Sequence, residues 1–452
     1  MAKTRDMTVG SPARLILSFC LPIAAGNLLQ QFYNIVDTLV IGRGEGVAAL
    51  AAVSGSGWLD WGILSIAMGL AQGFGIQIAQ SFGAGQQEEV KHYAGQSIFL
   101  SILIVLILET LSQMFLFPLL RLLQFPEDTI YLTLTYLRFI FGGIPIVMGY
   151  NLLSGFLYAV GDSRTPLIAL SAATVINIVL DVFLVITLRL AVTGAALATV
   201  GSQCISFLIC LWAVCRMPVF HIHASHLKPD RHAIVRLLKL GTPIAFQNGI
   251  ITVGGLILQR VVNGFGFLFM AGYNAASRLQ GMLELCGTAI GSALGTFTGQ
   301  NFGAGRLDRV RTGLRQSAWI AVGTALTITA LMLLFGRQLL ALFVEDDPAV
   351  VEQVLVYAYR FLCFMAGGLP CLYLLFVYRY TLQGLGDTLI PMISGIVELA
   401  MRILCATLLP ALVGEWGVYF AEISAWIGAA MLLIAGYYYR MHRLERSAEM
   451  QK

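Results

Sequence analysis

Two carboxylates stand where carboxylates are hard to keep. Asp37, in Asn34-Ile35-Val36-Asp37-Thr38, and Asp181, in Asn177-Ile178-Val179-Leu180-Asp181, interrupt long apolar runs. An ionisable group near a bilayer centre costs about 2.5–3.5 kcal/mol on insertion scales, so each needs a reason. Asn177 and Asp181 are four residues apart and share one helical face. With Thr199 they form a hard-oxygen set of two carboxylates, an amide and a hydroxyl, suited to sodium or to a shared proton. The alternative is that both acids only hydrogen-bond neighbouring helices.

The carboxyl-terminal half carries a different set. Glu398 and Arg402 are four apart and can neutralise one another. Glu284 has Gln280 one turn away and Arg278 further out. These residues read as an internal charge network or, alternatively, as a place where Glu284 or Glu398 binds a cationic substrate or a second proton. Gln31, Tyr33 and Asn34 before Asp37, and Gln247 and Asn248 in the second half, supply amide and aromatic groups for a substrate cavity.

The elements that must hold these groups are membrane helices. Of 452 residues, 58% are apolar and only 12% charged, far from the even mixture of a soluble domain. Backbone in hydrocarbon satisfies its own hydrogen bonds only in helices or closed barrels, and period-two alternation is missing. The fold class is therefore all-α integral membrane. The sequence predicts twelve spans at 15-41, 54-80, 94-116, 131-159, 165-187, 192-215, 235-260, 271-299, 316-336, 354-383, 389-411 and 417-439. Asp37 then lies about four residues from the end of span 1, Asp181 about six from the end of span 5, and Thr199 about seven into span 6. At roughly 1.5 Å per residue, all sit at similar depth.

Charge placement orients the chain. Lys3, Arg5, Arg14, Lys91, Arg164 and the basic 216-239 loop, with Arg306 to Arg315 and Arg440 to Arg446, fall on one side. Arg43, Arg121, Arg189, Arg260 and Arg337, with Asp346 and Asp347, fall on the other. The positive-inside rule makes both termini cytoplasmic in a multi-pass inner-membrane protein. No cleavable signal peptide is expected, and the net charge of +4 needs no nucleic-acid partner.

The chain also repeats itself. Gln80-Ser81-Phe82-Gly83-Ala84-Gly85 returns as Gln300-Asn301-Phe302-Gly303-Ala304-Gly305, Pro22 is echoed by Pro243, and Gly161-Asp162 by Gly386-Asp387. Two halves of about 220 residues with six spans each are parallel repeats, the mark of a carrier. The expected organisation is 1-215 as an amino-terminal lobe, 216-234 as linker, 235-440 as a carboxyl-terminal lobe and 441-452 as tail. Pro22 and Pro243 permit bends as hinges. Small residues such as Gly69 and Gly73, or Gly291 and Gly295, allow close or sliding helix packing.

Other signals are weak. The eight cysteines show no paired spacing and act as small hydrophobes. Gly384-Leu385-Gly386-Asp387 matches an intramembrane aspartyl protease motif, but its repeat in the first half marks a loop turn. His221, His223 and His226 have a spacing that could hold a metal in a solvated loop. There is no Gly-Lys-Ser/Thr phosphate loop and no His-Glu-x-x-His. No cofactor, and no metal beyond sodium, is implied. Uphill transport would have to draw on an ion gradient.

Taken together, the Pro22-to-Asp37 spacing, the duplicated Gln-x-Phe-Gly-Ala-Gly phrase, the Gly-Asp-x-x-x-Pro loops and Asn177-x-x-x-Asp181 resemble the multidrug and toxic compound extrusion (MATE) family. The resemblance covers essentially the whole chain. It implies two six-helix lobes that export organic cations and amphipathic drugs against protons or sodium, as a monomer in the lipid bilayer, with coupling residues Asp37, Asn177, Asp181 and Thr199. Some members carry an acid on span 7 where this chain has Ile251, which favours coupling in the amino-terminal lobe. A lipid-linked oligosaccharide flippase of the same superfamily is the alternative, and an intramembrane hydrolase a more distant third.

Overall fold

A computed structural model describes residues 4–123, 125–343 and 348–450. Lys3, Asp346 and Asp347, counted above among the loop charges, lie outside the described residues. Among the described residues the ordered elements are all helical: α1 Pro12–Gly83, α2 Gln87–Leu122, α3 Glu127–Gly142, α4 Ile144–Ala159, α5 Arg164–Asp181, α6 Ala191–Cys215, α7 Arg231–Asn263, α8 Phe267–Gly303, α9 Leu307–Ala341, α10 Pro348–Gly384, α11 Leu389–Leu408, α12 Pro410–Val413 and α13 Trp416–Glu449. Each of the twelve predicted spans falls on this helical framework. Among the described residues, ten helical stretches are long and apolar enough to cross a membrane, or eleven if the α3–α4 pair, bent by 42°, counts as one span. The protein is a multi-pass membrane protein.

Three departures from the expected spans have local causes. The break within 131-159 falls at Gly143, where Pro145 opens α4 and cannot donate to the preceding turn. Spans 1 and 2 are joined by helical backbone throughout α1 rather than by an open loop. The joining stretch 42–53 contains no proline and includes the alanine-rich Ala48-Ala49-Leu50-Ala51-Ala52, which favours helix despite Gly42, Gly44 and Gly46 before it. Span 5 ends in a π-helical stretch, Val182–Thr187, that begins directly after Asp181.

The helices form two compact units. The described residues through Val9, Leu21–Asn248 and Gly299–Gly305 make the amino-terminal unit; Gly10–Cys20, Gly249–Thr298 and Arg306 onward make the carboxyl-terminal unit. In the amino-terminal unit the small residues of α1 let α7 come very close. A Cβ on Gly73 would stand 2.3 Å from the Gly241 Cα, and one on Gly69 2.7 Å from the Ala245 Cα. Arg236 Nε donates to Gln77 Oε1 at 2.6 Å and Asn248 Nδ2 to the Ser65 carbonyl at 3.1 Å along the same seam. In the carboxyl-terminal unit Gly291 instead receives the Tyr380 ring, 2.5 Å from where its Cβ would be.

The duplicated phrase has a geometric purpose. A Cβ on Gly83 would lie 1.9 Å from the Gln300 carbonyl oxygen, and one on Gly303 1.9 Å from that of Gln80. The two copies cross through their glycines, each against the other's backbone. Gln300 also ties down the segment before α1: its Oε1 accepts from the Met7 N–H at 2.8 Å and its Nε2 donates to the Ala159 carbonyl at 2.8 Å. Gly85 and Gly305 then leave the helix at φ +73° and +72°, a region glycine enters without penalty. Gly83→Ala and Gly303→Ala are each expected to lower stability by about 1–3 kcal/mol, because backbone rather than a flexible side chain must move. Gly57→Ala, with nothing within 4 Å, should be neutral or slightly stabilising in the same thermal unfolding assay.

The Gly-Asp repeat is a turn followed by a helix cap. Gly161 and Gly386 stand at φ +87° and +78°. Asp162 accepts from the N–H groups of Arg164 at 3.0 Å and Thr165 at 3.1 Å, and Asp387 from that of Ile390 at 3.3 Å. The histidine-bearing linker is fastened to α2. Gln96 Nε2 donates to the carbonyls of His226 and Lys228 at 2.8 and 2.6 Å, and its Oε1 accepts from the Asp230 N–H at 3.0 Å. The His232 N–H and the His92 ring hold the Asp230 carboxyl below the usual aspartate range. His226 accepts from the His223 N–H through Nδ1 and faces Glu88 at 3.6 Å. These histidines fold the loop, and among the described residues no group of three metal-ligating side chains comes together.

Candidate functional site

Helices α1, α3, α5 and α6 bring one polar cluster together in the amino-terminal unit. Asp37 and Asp181, 144 positions apart in sequence, lie next to each other, carboxyl toward carboxyl. Asp181 and Asn177 are completely buried, and Thr199 and Asp37 nearly so. Among the described residues, and apart from the Asp37–Asp181 and Tyr33–Thr199 approaches, no hydrogen-bond partner is found for the oxygens of Asp181, Oδ1 of Asp37, the amide atoms of Asn177 or Oγ1 of Thr199. Buried polar groups are almost always paired, and an unpaired one costs about 1–3 kcal/mol. Several such atoms in one place make a polar cluster, mostly of oxygens, with hydrogen-bonding capacity that its described neighbours leave unused.

The sequence placed four of these residues, Asp37, Asn177, Asp181 and Thr199, and the structure sets Tyr33, Tyr136 and Asp60 beside them. Tyr33 lies beside Thr199 and within electrostatic reach of Asp37, Asp181 and Asp60. Tyr136, on α3, faces the same three acids. Asp60, within Trp58-Leu59-Asp60-Trp61, has its Oδ1 buried and without a partner. An acid in the Gly55–Gly83 span was a readable signal of the same kind as Asp37. Tyr136 was not, because a tyrosine in an apolar run carries no cost that marks it out. The π-helical turn after Asp181 fits the site as well, since such turns recur at functional positions in helices.

In the carboxyl-terminal unit the buried charges compensate one another. Arg402 Nη2 donates to Glu398 Oε1 at 3.2 Å and to Glu422 Oε2 at 3.0 Å, while Arg379 Nη2 donates to Glu398 Oε2 at 2.9 Å. Arg379 and Glu422 were not anticipated, and they turn the Glu398–Arg402 pair into a quartet of net charge zero. Glycine makes the space: a Cβ on Gly254 would sit 2.6 Å from an Arg402 guanidinium nitrogen. Glu284 accepts from Gln280 Nε2 at 3.0 Å and stands within electrostatic reach of the quartet.

The residues assigned to a substrate cavity divide between the units. Gln31, Tyr33, Asn34, Gln247 and Asn248 belong to the amino-terminal unit, Gln280 and Glu284 to the other. Gln247 is buried, Gln31 and Tyr33 are half-buried and Asn34 is exposed. Pro22 and Pro243 lie inside α1 and α7.

The MatE family model matches residues 22–183 and again 243–408, once in each half. The chain belongs to the MatE family. Its relatives agree. It is 28% identical over 455 residues to the probable multidrug resistance protein YoeA of Bacillus subtilis, covering 96% of this chain and 95% of that one. It is 30% identical over 427 residues to the probable multidrug resistance protein YpnP of the same organism, covering 92% of each. A 26% identical relative from Shewanella oneidensis, matched over 78% of this chain and 79% of its own length, is an FAD transporter. Among solved structures, a MATE protein in complex with MaL6 superimposes with a TM-score of 0.92 over 99% of this chain and all of that one, at 22% identity. A MATE protein in the bent conformation gives 0.89 over 99% and 100%, also at 22%. The MatE fold thus extends over the full framework, and the chain is a transporter of the MATE multidrug efflux family.

Proposed function

We propose that this MatE protein is a cation-coupled antiporter that exports organic cations and amphipathic drugs by alternating access, in the inner membrane and with both termini cytoplasmic. The observation that carries the reading is the Asp37–Asp181 contact, two buried carboxyl groups with unpaired oxygens beside an Asn177 whose amide is also unpaired. Two carboxylates cannot both stay ionised in a low-dielectric site without a counter-charge. A proton or a sodium ion supplies it, with Asn177 and Thr199 adding neutral oxygens.

Ion entry then neutralises the amino-terminal cluster and weakens its hold on a cationic substrate near Gln31 and Tyr33. Ion departure restores the charge that attracts the next substrate. Pro22, fifteen positions before Asp37 on α1, gives that helix a place to bend as the charge changes. The multidrug relatives support small drugs as substrates, and the protein is expected to work as a monomer without a cofactor. A flippase gains no support from the carboxyl-terminal unit, because Arg379 and Arg402 are each engaged by carboxylates.

The test is ethidium movement in proteoliposomes under a pH gradient and a sodium gradient imposed separately. Uptake driven by an outward gradient of one of these ions, and absent without a gradient, is the expected result. Equal uptake with and without gradients would refute ion coupling.

A further inference from the structure

We propose that Asp60 is a third ion-binding carboxylate and that the amino-terminal unit takes up two monovalent cations per transport cycle. This deepens the reading of Asp37 and Asp181 as coupling acids and rests on it. Asp60 lies five residues in from Gly55, the end of its span, and Asp181 is followed by six residues to the end of its own at Thr187. The three acids also share one apolar surround. Ile41, one turn after Asp37, and Val185, one turn after Asp181, belong to a single cluster with Tyr136 and Phe141, against which Leu59, Ile63 and Leu64 around Asp60 pack.

Tyr33 and Tyr136 connect the acids, each within reach of all three. Among the described residues, the groups acting on those two tyrosines are Asp37, Asp60, Asp181 and Thr199, together with Tyr33 on Tyr136, with no arginine or lysine among them. Asp60 Oδ1 is buried and unpartnered, and Asn177, fully buried one turn from Asp181, offers both amide atoms unpaired. A cation shared between Asp37 and Asp181 satisfies that pair and leaves half-buried Asp60, with its Oδ1 enclosed, without a counter-charge among the described side chains. A second cation supplies it.

The count has a signature of unusual sign. If two monovalent cations leave a vesicle for each singly charged dye that enters, one positive charge leaves per cycle. An interior-positive potential then accelerates uptake of a cation, opposite to leak. Ethidium uptake is measured in proteoliposomes loaded with the driving ion, with the potential set by potassium and valinomycin.

The wild type is expected to speed up at interior-positive potential. Asp60→Asn should remain gradient-driven but lose its response to potential, as one-for-one exchange requires, and Asp60→Glu should respond like the wild type. A wild type indifferent to potential overturns the proposal, as does an Asp60→Asn variant that responds as the wild type does. So does loss of all exchange in a folded Asp60→Asn, which would make Asp60 part of one shared site. Coupling that survives Asp37→Asn refutes the underlying antiport reading instead, whatever Asp60 does.

Discussion

Cells relying on Asp37→Asn for drug export are expected to be as sensitive as cells without the transporter. Asparagine keeps the size and much of the polarity of aspartate but cannot carry the charge that an ion must neutralise. The cluster would lose one of the two carboxyl groups that meet between α1 and α5. With Asp181 left alone in that pair, the mutual repulsion that favours cation uptake there disappears, and with it the expected link between ion entry and substrate release. Asp181→Asn should fail in the same way, because Asp181 is completely buried and faces Asp37. Folding is not expected to suffer, since removing an unpaired buried charge relieves a cost rather than creating one. Equal membrane abundance by immunoblot, with accumulation of a fluorescent dye inside the cells, distinguishes lost coupling from lost protein.

Arg402→Ala is expected to act on stability. Its guanidinium bridges Glu398 and Glu422 at 3.2 and 3.0 Å in a buried setting. Without it, Glu422 keeps no partner in the quartet and Glu398 keeps only Arg379. Breaking a buried pair from one side costs about 3–5 kcal/mol, much more than removing both partners together. Purified Arg402→Ala should therefore unfold at a clearly lower temperature than the wild type, and Arg402→Met with Glu422→Gln should recover most of the difference. Gly254→Leu should resemble Arg402→Ala, because its side chain must occupy the guanidinium's space. A double variant no better than the single one would show that the quartet is not the source of the loss.

The sequence displayed the polar cluster of the amino-terminal unit because burial makes acids conspicuous. Asp37, Asn177, Asp181 and Thr199 could be set at one depth by counting residues along helices, and Asp37 and Asp181 do meet. Asp60 escaped although the same rule applied, since it lacks a duplicated motif or an amide one turn away. Glu398 and Arg402 were legible as an i,i+4 pair, but Arg379 and Glu422 join them from α10 and α13, contacts that no local spacing encodes. The repeated Gln-x-Phe-Gly-Ala-Gly phrase announced duplication without revealing its cause. Only the fold shows that Gly83 and Gly303 each face the other copy's backbone. The kink at Gly143 and the helical link through Ala48 to Ala52 were missed for a simpler reason. A twelve-span reading weighs apolarity, and neither a proline beside paired glycines nor an alanine run changes that weight.

Cation binding by Asp37 and Asp181 is tested most directly by the affinity of purified protein for ethidium, measured across pH and across sodium concentration. If Asp37 and Asp181 hold a cation that substrate displaces, affinity weakens as that ion rises, and Asp37→Asn flattens the dependence. Binding that ignores both ions in the wild type, or that keeps the same ion dependence in Asp37→Asn, would contradict it.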